Sequence, residues 1–136
     1  MIANAIVLHP NSKKNLMQQD GLKNQTNSAE SQMTEILSLA YSISLNVTHS
    51  EIIALNKIRA STLFGVGVID RLAPIIETAS ATIIIVNCNL SPIQQRNLEL
   101  AWKSKVIDRT GLILEIFGAR ARTHEGRLQV ELAALS

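Results

Sequence analysis

Residues 81–88 read ATIIIVNC, and six of these eight residues are apolar. Four β-branched aliphatics follow one another from Ile83 to Val86. A strand with one wet face would alternate apolar and polar side chains. An unbroken run predicts a strand buried on both faces, which is the signature of a central strand in a parallel sheet. Parallel strands need crossover connections, so helices are expected on either side of this run in the chain.

Helical patterns lie on both sides. Downstream, SPIQQRNLELAWK (91–103) opens with Ser91 as a helix cap, Pro92 at the first helical position and Gln94 completing a capping box. Arg96, Glu99 and Lys103 then share one face at spacings of three and four, which predicts a solvated ladder of ion pairs. KVID (105–108) is a short strand, and TGLILEIFGARA (110–121) is a helix apolar nearly all round. Upstream, STLFGVGVIDRLAPIIETA (61–79) reads as a strand end, a glycine turn and a helix, with Pro74 near its first turn or kinking it. THSEIIALNKI (48–58) contains another strand. SQMTEILSLAYSISLN (31–46) places Met33, Ile36, Leu37 and Ala40 at helical spacing, and NAIVLHP (4–10) is a strand stopped by Pro10. Residues 11–31 are polar and predict a flexible loop.

Strands alternating with helices define an α/β fold, a small, mainly parallel sheet flanked by helices, over residues 1–121. After Ala121 a new pattern begins. Leu128, Leu132 and Leu135 form an i, i+4, i+7 stripe, so residues 122–136 read as the start of a long helix that is cut short. Such a helix would seek a partner, either further chain or a second copy.

The chain has 136 residues and a net charge of +2, which neither demands nor excludes a nucleic-acid partner. Its single cysteine, Cys88, allows no intrachain disulfide and reads as a packing residue. No apolar stretch is long enough for a membrane span, and no charge precedes the short N-terminal apolar run as in a signal peptide. These features predict a soluble, cytoplasmic protein.

Chemistry-bearing patterns are few. Gly65 and Gly67 form a G-x-G before a helix, which either presents backbone amides to an anion or makes a tight turn. The third glycine of a dinucleotide fingerprint is missing, and so is a P-loop. On the turn reading, Gly67→Ala should lower stability. Asp108 sits at a strand end, where ligands bind in parallel sheets, or else it caps the next helix, as Thr110 could. His9, His49 and His124 are scattered, and no metal site is expected. No nucleophile–base pair stands out. Arg109, Arg120, Arg122 and Arg127 cluster in the sequence and are the candidate RNA-phosphate contacts, with a salt-bridged hinge as the alternative.

LSPIQQRNLE (90–99) and KVIDRTGLILEIFGARARTHEGRLQVELAAL (105–135) resemble the N-terminal region of the HflX family of translational GTPases. The likeness continues less closely back to about Ser61. It implies an α/β subdomain, then a pair of long antiparallel helices and a GTPase domain. It implies the large ribosomal subunit and its RNA as partners, with ribosome splitting as the activity of the full protein. GTP and magnesium would belong to the GTPase domain alone, so no catalysis and no cofactor are expected of these 136 residues. An ATP-binding, RNA-remodelling module and a purely regulatory module are the alternatives. The family's glycine-x-glycine-lysine reads here with Val68 in place of the lysine.

Overall fold

Among the described residues four strands, all parallel, lie in the order β2-β1-β3-β4. The computed structural model describes residues 3–12, 28–55 and 57–121. They run β1 (Asn4–Ser12), α1 (Ala29–Ser42), β2 (Asn46–Leu55), α2 (Val66–Thr78), β3 (Ile83–Val86), α3 (Pro92–Trp102), β4 (Lys105–Asp108) and a last helix, α4, over residues 109–121. No described helix is long and apolar enough to cross a membrane.

The period of two along each strand sends alternate side chains into two separate cores. Ile6 and Leu8 of β1, Ile84 and Val86 of β3 and Val106 of β4 point to one face, where Ile69, Leu72 and Ile76 of α2 and Leu98 and Trp102 of α3 cover them. Ala5, Val7, Ile85 and Ile107 point to the other face and meet Met33, Ile36 and Ala40 of α1 and Leu112 and Ile116 of α4. The Ile83–Val86 run is therefore apolar throughout because β3 has a helix layer on each side.

The expected capping box is present. Ser91 Oγ accepts from Gln94 N at 3.1 Å, and Gln94 Oε1 accepts from Ser91 N at 3.0 Å. Four expectations need correction. Pro10 does not stop β1, which runs on to Ser12 beside β2. Leu8 O accepts from Asn87 N on the β3 side, and alternation puts the Pro10 nitrogen on that same side, beyond the end of β3. No ladder donor is lost there. The polar loop of 11–31 is shorter at both ends: Asn11 and Ser12 belong to β1, and α1 starts at Ala29 with Ser28 as its cap. The remainder, 13–27, lies outside the described residues, as does the stripe of 122–136.

Leu63 and Phe64 do not end a strand. Arg59 and Leu63 form a small antiparallel bridge that folds the segment back and drops Phe64 into the core beside Trp102, with ring centroids 6.2 Å apart. Nor does the ladder of Arg96, Glu99 and Lys103 form. Glu99 Oε2 instead accepts from Val106 N at 3.1 Å, and Gln95 Nε2 donates to Val106 O at 2.7 Å. Val106 presents both groups on the open side of the edge strand β4, so two side chains one helical turn apart occupy the place of a fifth strand. Pro74 lies well inside α2.

A polar network at the carboxyl end of the sheet

The chain passes from β1 to β2 on one side and then returns to lay β3 on the other side of β1. Sheets of this kind open a crevice beyond the carboxyl ends of the two strands where the direction reverses. Here those are β1 and β3, and the residues at their ends are polar although buried: His9, Asn11 and Asn87.

His9 and Asn87 are tied into one network. Arg109 Nη2 donates to Glu35 Oε1 of α1 at 2.6 Å, and Arg109 Nη1 makes a long contact of 3.4 Å with Asn87 Oδ1. That contact orients the Asn87 amide. Its Nδ2 then donates to Gln32 O at 3.3 Å and faces His9 Nδ1 at 3.1 Å. An amide nitrogen can only donate, so His9 Nδ1 accepts and the ring is neutral with its hydrogen on Nε2. Burial, and then the positive charge of Arg109, hold the His9 pKa below its ordinary value, in agreement with this assignment.

Asp108, the residue that could have bound a ligand or capped a helix, caps. Its Oδ1 accepts from Gly111 N at 2.8 Å at the start of α4, and its Oδ2 accepts from Leu90 N at 3.1 Å. Thr110 turns to Asn89 instead, with 3.2 Å between Oγ1 and Oδ1. The Cys88 thiol is pushed up to about 11 by burial and by the charge of Asp108, so it stays protonated and unreactive. No group of three or more potential metal ligands occurs among the described residues.

Gly65 and Gly67 are not at a strained turn. Gly65 caps α2 with φ −70° and ψ 160°, and Gly67 lies within the first helical turn. Neither has positive φ, and a Cβ on Gly67 would meet nothing within 4 Å. The tight-turn reading and its expected loss of stability in Gly67→Ala are therefore corrected, since neither backbone nor neighbour demands glycine at 67. The N-cap of α2 makes no side-chain hydrogen bond, and Arg59 Nε lies 3.8 Å from where a Gly65 Cβ would be.

The arginine cluster is divided by the fold. Arg109 is half-buried in the network at the carboxyl end of the sheet. Arg120 is exposed eleven residues later on α4, about 16 Å away along the helix axis. Arg122 and Arg127 lie outside the described residues. His9, Asn87 and Glu35 were not singled out as site residues from sequence. The one usable signal is a polar residue directly after a fully apolar strand, as Asn87 follows Val86.

A family profile described as GTP-binding GTPase N-terminal matches residues 30–118. The GTPase HflX of Magnetococcus marinus is 48% identical over 103 residues, which cover 76% of this chain and 24% of that protein. The GTPase HflX of Escherichia coli is 52% identical over 71 residues, 52% of this chain and 17% of that protein. The chain thus spans about a quarter or less of the length of these relatives. A crystal structure of a protein called SsGBP in complex with GDP superposes with a TM-score of 0.60 at 21% identity, over 98% of this chain and 34% of that one. That likeness speaks for the fold alone.

Proposed function

Because this chain belongs to the GTP-binding GTPase N-terminal family and is an HflX-type N-terminal domain, we propose that it is a docking module. It binds the large ribosomal subunit through ribosomal RNA in the cytoplasm and positions a GTPase domain of the same polypeptide there. GTP and magnesium belong to that other domain. One observation carries the docking reading over a catalytic one: the polar groups where a parallel sheet would hold its ligand are bound to one another. His9, Asn87, Arg109 and Glu35 form a chain of contacts, and Asp108 spends both oxygens on backbone amides. A ligand entering there would have to break that network. The surface is left to do the work.

Sedimentation with isolated large subunits across a salt series tests this. Binding that weakens steeply with salt is the expected result. No binding at about 50 mM salt, where phosphate contacts are strongest, would end the reading. The position of His9 and Asn87 at the reversal point favours a second reading, ATP bound in the crevice. Calorimetric titration decides it: saturable micromolar ATP binding abolished by Asn87→Ala would establish a nucleotide site, and an absence of heat would leave docking.

A further inference from the structure

The ion pairs leave an uneven surface. Arg71 pairs with Glu51, Lys105 with Glu115 and Arg109 with Glu35. Lys57, Arg59, Arg96 and Lys103 pair with no carboxylate among the described residues, and all four are exposed. They belong to one region. The 57–64 segment is fastened along α3 by Gln94 Nε2 donating to Arg59 O at 2.9 Å and Asn97 Nδ2 donating to Ser61 O at 2.9 Å. Arg96 lies on the outward face of α3, because Gln94, Leu98 and Trp102 face inward, and Lys103 follows the helix as its exposed, left-handed C-cap. Between Gln94, which anchors Arg59, and Lys103 the helix rises about 14 Å.

The acidic residue that would neutralise this strip is Glu99, and it is turned away to bond Val106 N at the β4 edge. Asp70, a turn beyond Val66, and Glu77, near the end of the helix, are the exposed carboxylates of α2, and Glu77 lines the same hollow as Lys103. Arg59 lies beside Gly65, at the N-terminus of a helix with no side-chain cap and no acid in its first turn. A helix N-terminus repels a cation and attracts an anion. An anion here would be drawn by both. Ile93 and Leu100, 65% and 68% exposed, flank Arg96 and add no acceptor of hydrogen bonds.

We propose that this strip, Lys57, Arg59, Arg96 and Lys103 along α3, is the surface that tracks the RNA phosphate backbone. The inference rests on the docking reading above and replaces Arg109 as a contact. A surface of donors with its carboxylate withdrawn suits a polyanion, whereas a protein partner would ordinarily meet donors and acceptors mixed. Arg109 is spoken for by Glu35 and Asn87, and Arg120 stands on the far helix layer.

The test compares the full chain with the variant Lys57→Gln, Arg59→Gln, Arg96→Gln, Lys103→Gln. Binding is measured to large subunits and to protein-free RNA extracted from them, across a salt series. Each phosphate contact contributes roughly 0.7–0.9 to the slope of log affinity against log salt, so the variant should flatten that slope by about 3 on both probes. Its melting temperature should stay within about 2 °C, because four exposed side chains are replaced. Arg120→Gln alone should change the slope by less than 1. If the unaltered chain binds both probes and the variant binds with the same slope, the strip is not the RNA surface, though the docking reading survives. If the chain binds subunits but not the extracted RNA, the partner is ribosomal protein and the proposal fails. If the unaltered chain binds neither at low salt, the docking reading fails with it.

Discussion

Replacing Gly67 with alanine separates a glycine kept for its backbone from one that is merely present. Gly67 is the second residue of α2 and is exposed. A methyl group at its Cβ position touches nothing within 4 Å, and its φ is not positive. The substitution thus creates no clash and no strain. It removes the large backbone freedom that glycine has in the unfolded chain, which at helical positions favours alanine by roughly 0.5–1 kcal/mol. For a domain of this size, that raises the melting temperature by about 2–5 °C. Thermal melting followed by circular dichroism, with urea titration for the free energy, measures it. The two should agree without a change in denaturant slope, because the surface exposed on unfolding is unaltered. A fall of more than about 1 kcal/mol would refute the reasoning, for it would mean that something approaches Gly67 closely enough to exclude a methyl group. Loss of an otherwise measurable ATP affinity in the same variant would identify that something as a phosphate.

His9 makes the domain sensitive to acid. Its folded pKa lies below the unfolded value, so the unfolded chain takes up the proton first; the stabilisation is complete above the unfolded value of about 6.5 and is lost as pH falls through the folded one. Melting temperatures between pH 8 and 5 should show the decline, and His9→Gln should flatten it; an equal decline in that variant would place the titration elsewhere. Arg109→Met leaves Asn87 Oδ1 without its donor and should cost about 1–2 kcal/mol in urea titration while leaving the salt slope of RNA binding unchanged, whereas a flattened slope would return Arg109 to the RNA surface. Trp102→Phe keeps the ring against Phe64 but loses the bond from Nε1 to Ile69 O and part of the buried volume, for an expected loss of about 1–3 kcal/mol by the same titration. Cys88, with its thiol near 11, should resist alkylation by iodoacetamide at pH 8 until the protein is unfolded in urea; rapid labelling of the folded chain would contradict its burial.

Much of the architecture was legible because it depends on neighbours in the chain. Ile83 to Val86 could only be a strand covered on both sides, and Ser91, Pro92 and Gln94 could only open a helix there, since their bonds run between residues three apart. The alternation of such segments then required a parallel sheet. What the chain could not declare was where its polar side chains would end. Asn87 meets His9 across 78 residues and Arg109 meets Glu35 across 74, and those meetings follow from the order in which the strands lie. Spacing on α3 placed Arg96, Glu99 and Lys103 together as an ion-pair ladder. The open backbone of Val106 on the edge strand drew Glu99 away instead, since a backbone amide left without an acceptor costs more than a solvated ion pair returns. Local patterns thus determined the elements, while strand order and the demand to satisfy edge and buried polar groups decided which charges were consumed and which were left facing outward.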